Sequence, residues 1–371
     1  MLIYHLLNSA SSLVFALYRS SSLDREQVLR RSYLLITVLL VIASLSCLLT
    51  WLLRRYALAS SLMDIPNARS SHSVPTPRGG GVAIVVCFVL AVLGLALLGK
   101  VDSGIALALC GAGGLVAVIG FLDDHGHIAA RWRLLGHFAA AGWALIWLGG
   151  LPAISLFGTV VDLGWFGHLL AAIYLVWLLN LYNFMDGIDG IASVEAICVC
   201  IGGALLYAWL GDIQGALVTV LSLAAAVLGF LIWNFPPARI FMGDAGSGFL
   251  GITLGVLSLQ AAAVSPELLW AWLILLGVFI VDATYTLLRR LLRGDRVYEA
   301  HRSHAYQYAS RHYGRHLPVT LAVTAINLLW LLPIALWVSF GGVDGTIGLL
   351  IAYLPLVFLA VRFNAGALEA K

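Results

Sequence analysis

The sequence predicts an all-α polytopic membrane protein of about eleven transmembrane helices, with its active site at the cytoplasmic face. Three observations predict it. Of the 371 residues, 61% are hydrophobic and only 11% charged, whereas soluble domains carry roughly 45–50% apolar and about 25% charged residues. The mean hydropathy is +0.98. The apolar residues gather into continuous runs near the length of about 20 needed to cross the hydrocarbon core. These runs do not alternate as barrel strands do, so the spans are helical. This composition excludes a water-soluble enzyme, a disordered chain and a nucleic-acid binder.

Eleven runs follow in order: 33–53, 81–99, 104–121, 134–150, 166–185, 190–210, 213–233, 247–263, 268–288, 318–339 and 345–361. They define a single transmembrane domain over 33–365, preceded by an N-terminal segment, 1–32, and followed by a short tail, 366–371. All five cysteines fall inside runs and read as small core residues, not as a disulfide framework. Residues 153–164, in the loop after the fourth run, are expected to form a small hairpin.

Charge orients the bundle by the positive-inside rule. The side holding 54–80, 122–133, 234–246, 289–317 and the C-terminal tail carries sixteen Lys and Arg, and the opposite loops only Lys100. That side, with the C-terminus, is expected to be cytoplasmic. Arg19, Arg25, Arg30 and Arg31 disagree. Either residues 1–32 lie along the interface, or the span count is off by one, or the start is misassigned. Concentrated polarity also lies on the expected cytoplasmic side. A transporter or flippase, the competing reading, would place ionisable groups near the midplane on broken, repeated helices. No repeat is evident, and Asp282 reads as the only carboxylate well away from a span end, placed to support a site or to pair with a neighbouring helix.

Five clusters carry the chemistry. Asp123-Asp124 ends the third run, and reads either as a solvated loop start or as a metal or proton-handling pair. Asn180, Asn183, Asp186 and Asp189 recur every third residue at the end of the fifth run, a spacing that on a helix puts most of them on one face. Two carboxylates and two amides there suit a cation or a polar ligand. Asp244, in Met242-Gly-Asp-Ala-Gly-Ser-Gly248, precedes the eighth run. Its oxygen suits a hard cation, and the following helix N-terminus suits an anion. The G-x-G-x-x-G over 246–251 lacks the βαβ setting of a dinucleotide site. Arg69, His72 and Arg78, ahead of Gly79-Gly-Gly81, suit a phosphate or form a stiff positively charged connector. The 289–317 loop holds seven arginines and four histidines. His301/His304 and His312/His316 have zinc-like spacings without cysteine. An anionic substrate or anionic lipid headgroups explain the mix better.

Together the motifs resemble the polyprenyl-phosphate N-acetylhexosamine-1-phosphate transferase family over about residues 33–365. The resemblance rests on Pro66-Asn-x-Arg69-x-x-His72-x-x-Pro75-Thr-Pro-Arg78-Gly-Gly-Gly, Asp123-Asp124, Asn180-x-x-Asn183-x-x-Asp186-Gly-Ile-Asp189-Gly and Gly243-Asp244-x-Gly-Ser, in that order. It implies an eleven-span fold in a bacterial inner membrane, Mg²⁺ or Mn²⁺, a UDP-N-acetylhexosamine donor and an undecaprenyl phosphate acceptor, with release of UMP. It further implies that Asn183 and Asp244 hold the metal and that Asp123 and Asp124 orient or deprotonate the lipid phosphate or assist the metal. Arg133 occupies a position where the family keeps a basic residue. Asp186 and Asp189 would serve the nucleotide, and His301, Arg302 and His304 the diphosphate or sugar. The branch that loads phospho-N-acetylmuramoyl-pentapeptide carries three consecutive histidines in its last cytoplasmic loop, where this chain has His301-Arg-Ser-His304. That departure resembles the branch initiating O-antigen or teichoic acid. The run from Glu299 to Gln307 resembles initiators loading a 6-deoxy sugar such as FucNAc or QuiNAc, with GlcNAc and the muramoyl-pentapeptide as alternatives. The expected partners are membrane lipids and no nucleic acid, and a homodimer is left open.

Overall fold

A computed structural model describes residues 22–66, 72, 74–126, 128–211, 215–295 and 301–368. Arg69 and residues 1–21, most of the expected N-terminal segment, lie outside these. The chain divides into two compact units, 1–41 and 42–371. The described part of the first is the opening of helix α1 (Ser22–Ala59), a 38-residue helix whose remainder belongs to the second unit.

The second unit is almost wholly helical. After α1 come α2 (Val82–Leu97), α3 (Ser103–His125), α4 (Ala130–Leu148), α5 (Gly164–Met185), α6 (Ile191–Leu210), α7 (Ala216–Asn234), α8 (Asp244–Val264), α9 (Pro266–Leu275) and α10 (Gly277–Leu292). A short helix α11 (Ala305–Tyr313) follows. Then α12 (Leu317–Ile326), a π-helical turn over Asn327–Leu331 and α13 (Leu332–Phe340) run on, and α14 (Gly345–Arg362) closes the bundle. The protein is thus an all-α polytopic membrane protein. Each expected run contains helix. Among the described residues, eight helices are long and apolar enough to cross a membrane, and nine when the bent pair α9–α10 counts as one span. Of the remaining two expected runs, α2 is shorter, and α4 carries Arg131, Arg133 and His137 in its first half.

The order of packing follows from membrane physics. Lipid is as apolar as leucine, so helices associate through close packing and not through apolar burial. Helix α8 is the axis, buried all round from Ala245 to Ala262, and it packs on α3, α5 and α9. Its approach to α3 depends on Gly120. A Cβ there would stand 2.5 Å from the Asp244 carbonyl carbon and the Ala245 nitrogen. This contact sets the end of α3, with its two aspartates, against the start of α8.

The expected hairpin is present as β3 (Ile154–Leu156) paired antiparallel to β4 (Thr159–Val161). Phe157 and Gly158 take positive φ in a two-residue turn. Two-residue strands, β1 (Met63–Asp64) and β2 (Thr76–Pro77), pair across the connector between α1 and α2.

Three expectations change. Helix α5 ends at Met185, so Asn180 and Asn183 are helical while Asp186 and Asp189 lie in the following loop, and the four do not form one helical stripe. The ninth run is not straight, since α9 and α10 meet at 73° beside Gly277. Asp282 is not alone within the spans. Glu195, one turn into α6, is fully buried and accepts from Asn327 Nδ2 at 2.5 Å. Its cost inside a bilayer is offset by that bond, made at the first residue of the π-helical turn, where the helical ladder is locally re-spaced.

Candidate active site

The site forms where α3, α5 and α8 converge. Asp123 and Asp124 are consecutive, so on a helix their side chains point about 100° apart. They serve two different spaces. Asp124, 5% exposed, lines an open cleft of about 390 Å³ together with His72, Arg78, Asp186, Asp189 and Gln307. Asp123 lines a narrower slot between α3, α4, α5 and α8 with Arg133 and His137. Asn183 and Asp244 line both spaces. They are the wall between them.

Each aspartate has its own arginine. Arg78 bonds the Asp124 backbone carbonyl, with its other guanidinium nitrogen 3.9 Å from the carboxylate. Arg133 closes tightly on Asp123 and reaches Asp244 Oδ2 at 3.6 Å. The Ile128 backbone N–H fixes the second Asp123 oxygen at 2.8 Å. Asn183 donates to Asp244 Oδ1 at 2.9 Å and lies 3.0 Å from Ser247 Oγ. At the start of α8, the Ala245 N–H faces Asp124 Oδ2 at 3.5 Å. The anion favoured by that helix N-terminus is therefore the protein's own carboxylate.

The connector also differs from the phosphate cradle its glycines suggested. The N–H groups of Gly80 and Gly81 bond the carbonyls of Phe241 and Met242, each at 2.9 Å, so they brace the Met242-Gly243-Asp244 turn. His72 packs edge-on to Phe241, with ring centroids 4.8 Å apart. It and Arg78 remain on the cleft.

Asp189 is held from three directions. Its Oδ2 accepts from Ala238 N at 3.0 Å, His316 Nδ1 lies 3.1 Å from its Oδ1, and its carbonyl accepts from Thr320 Oγ1 at 2.9 Å. Asn234 ties the same loop down, accepting from Gly190 N and donating to the Ile240 carbonyl, both at 3.0 Å. Asp186 has no such support. Burial, and the charges of Asp244, Asp189 and Asp124, hold its carboxyl well above the usual carboxylate range.

The last loop is organised by Asp282. It accepts from the N–H groups of Ala305 at 2.9 Å and Tyr306 at 3.0 Å, and its Oδ1 lies 3.3 Å from His304 Nδ1. It thereby caps α11 from outside, and Tyr306 reaches back to the Phe184 carbonyl at 2.9 Å. His304 is 3% exposed and stacks on His301, 4.9 Å between centroids. Burial, with His304 and Arg290 nearby, pushes His301 down to about 3. Neither histidine nor Arg302 lines the cleft or the slot, whereas His316, noted in the sequence only for its spacing to His312, and Gln307, which was not picked out, line the cleft. Gln307 had a signal of its own, standing three residues into α11, where a capping residue reaches back to the helix start.

Among the described residues, no three His, Cys, Asp or Glu side chains are placed to hold a metal ion by themselves. The donors at the shared wall are one carboxylate and one amide. That is the sparse oxygen set with which Mg²⁺ is held when substrate phosphates and water complete its shell.

Comparison with known proteins points one way. The model of Glycosyl transferase family 4 matches residues 105–262. A probable undecaprenyl-phosphate N-acetylglucosaminyl 1-phosphate transferase of Bacillus subtilis is 31% identical over 282 residues, covering 73% of this chain and 76% of that protein. A decaprenyl-phosphate N-acetylglucosaminephosphotransferase of Mycolicibacterium smegmatis is 32% identical, over 63% of this chain and 64% of its own length. A phospho-N-acetylmuramoyl-pentapeptide-transferase of Moorella thermoacetica is 36% identical, over 53% and 58%.

Proposed function

The chain belongs to Glycosyl transferase family 4, the polyprenyl-phosphate hexosamine-1-phosphate transferases, and from that premise we propose that it transfers N-acetylhexosamine 1-phosphate from a UDP-sugar to undecaprenyl phosphate at the cytoplasmic face of a bacterial inner membrane. An acceptor phosphate oxygen forms a bond to the sugar-bearing phosphorus of the donor. The bond from that phosphorus to the bridging oxygen breaks, and the bridging oxygen leaves with UMP. The product starts a lipid-linked O-antigen or another surface polymer.

The observation that carries this reading is the wall formed by Asn183 and Asp244, with the open cleft on one side of it and the narrow slot on the other. Phosphoryl transfer between two anions needs the partners in line and their charge neutralised. Asp244 and the Asn183 carbonyl would hold Mg²⁺, or Mn²⁺, whose positive charge would neutralise the donor diphosphate. A surplus of carboxylate at Asp124, Asp186 and Asp244 favours such an ion. Arg78 and His72 offer donors to the nucleotide diphosphate from the cleft wall. Asp189 braces the loop beneath it. Arg133 and Asp123 stand on the other side. An acceptor phosphate is ionised near neutral pH, so no strong general base is needed.

For the sugar, His301-Arg-Ser-His304 in place of consecutive histidines favours an N-acetylhexosamine donor, either GlcNAc or a 6-deoxy sugar such as FucNAc or QuiNAc. The similarity to the Moorella thermoacetica protein favours a second reading, the muramoyl-pentapeptide donor. The purified enzyme, given undecaprenyl phosphate and each of these UDP-sugars in turn, decides between them by UMP release. Release with the hexosamines alone supports the first reading, release with the muramoyl donor alone replaces it by the second, and release with none overturns both.

A further inference from the structure

The slot on the far side of the Asn183–Asp244 wall has a chemistry unlike that of the cleft. The cleft is rich in carboxylates. In the slot, Asp123 is already matched by Arg133, and two further donors look for an anion. Arg133 Nε and His137 Nδ1 are both buried and have no hydrogen-bond partner among the described residues. His137 follows Arg133 by one turn of α4, so both side chains line one face of that helix and both line the slot. Asn180, Asn183 and Asp244 complete its polar end, and Val116 and Ile119 from α3 with Leu179 and Phe184 from α5 give it an apolar side. Phe184 is exposed and Ile119 half-buried at its rim.

A space with two orphan donors at one end and aliphatic walls beyond suits a ligand that is anionic at its head and apolar behind it. It does not suit a nucleotide sugar, whose every part is polar. We propose that His137 is an acceptor-binding residue: its ring nitrogen donates a hydrogen bond to the phosphate of the polyprenyl phosphate, beside Arg133, and so presents that phosphate to the donor across the Asn183–Asp244 wall. This inference rests on the transfer reaction proposed above. As it stands the slot holds about 30 Å³, enough for a water but not for a phosphate. The acceptor therefore takes the place of the Asp123 carboxylate on Arg133. Its charge does for the guanidinium what Asp123 does at rest, and His137 supplies the second donor.

The experiment is a separation of KM values for His137→Leu and His137→Gln in phospholipid nanodiscs, with undecaprenyl phosphate and whichever UDP-sugar supports UMP release by the unaltered enzyme. The leucine variant is expected to raise KM for undecaprenyl phosphate about tenfold or more, on the scale of one lost hydrogen bond to a charged group. KM for the UDP-sugar should stay within twofold, and glutamine, which keeps a donor, should restore most of the loss. If the leucine variant does not reach the membrane, His137→Asn carries the same test, because it keeps polarity in α4 but falls short of the phosphate. An unchanged acceptor KM, or an equal rise in both KM values, overturns the proposal. The unaltered enzyme's failure to release UMP with any donor would instead overturn the transfer reading beneath it.

Discussion

Asn183 Nδ2 donates to Asp244 Oδ1 at 2.9 Å, joining the end of α5 to the start of α8 across sixty-one positions of sequence. This bond sets the wall between the two substrate spaces. The second Asp244 oxygen lies 3.6 Å from Arg133.

Asp244→Asn keeps the shape and removes the charge. The expected result is at least about a 100-fold loss of turnover, the scale of removing a group that stabilises developing charge, with normal amounts of protein in the membrane. UMP release at matched protein level measures it. Near-normal turnover would take Asp244 out of the chemistry.

Removal of metal should stop the reaction. EDTA is expected to abolish UMP release, and Mg²⁺ or Mn²⁺ to restore it, because the available donors are oxygens. Full activity in EDTA, or rescue by zinc alone, contradicts the oxygen-donor site.

Gly120→Ala tests the contact between α3 and α8. Its Cβ would press on backbone at 2.5 Å, which no rotamer can relieve, whereas Gly114, on the same helix, meets nothing within 4 Å. Overpacking of this kind costs about 1–3 kcal/mol. The expected outcome is a lower unfolding temperature and a large loss of activity for Gly120→Ala, with Gly114→Ala near normal. Equal behaviour of the two variants would show that α3 does not need that approach.

Asp186 makes stability depend on pH in a definite sense. Its carboxyl is held above its ordinary value by burial and by Asp244, Asp189 and Asp124. A carboxyl raised in the folded state opposes folding in full above its folded value, and not at all below its unfolded value of about 4. Asp186→Asn should therefore raise the unfolding temperature at pH 8, with the advantage shrinking as the pH falls toward 4. Thermal unfolding in detergent without divalent metal, at pH 8 and pH 4.5, reads this out. A constant difference at both pH values would remove the electrostatic cause.

Asp282→Asn examines the support of the last loop. The carboxylate accepts two backbone N–H groups, and an amide can turn only one oxygen toward them, so a buried donor loses its partner at a cost of about 1–3 kcal/mol. Because Tyr306 and Gln307 hang from that cap, UMP release should fall together with thermal stability. A stable variant with normal activity would show that the cap is dispensable.

Much of this was legible in the sequence. The helical runs could be read because a bilayer demands continuous apolar segments, and the hairpin because 153–164 is a short loop segment outside them. Asp123-Asp124, Asn183, Asp186 and Asp244 stood out because carboxylates and amides at span ends are costly without a purpose. Other features were hidden for physical reasons. Glu195 was not singled out, and its partner Asn327 lies 132 positions away. The bend at Gly277 has no proline to announce it. His137 is one polar residue in an otherwise apolar stretch of α4, and its sequence neighbours do not show that it lines the slot. Whether His301 and His304 face the cleft is set by Asp282, about twenty positions earlier.

The sequence by itself therefore determined the membrane class, the helical segments and the four ordered motifs, because each records the local solvent or a local chemical expense. Tertiary structure alone decided how the motifs were divided between two spaces. Helix geometry turns Asp123 and Asp124 apart, Gly120 brings them against α8, and Arg78 from the connector before α2 and Arg133 from α4 meet one each. Such pairings depend on which helices touch, and lipid-facing segments of similar apolarity carry no local record of their neighbours. In a bilayer that choice rests on small residues and distant hydrogen bonds, and these become legible only once the helices are packed.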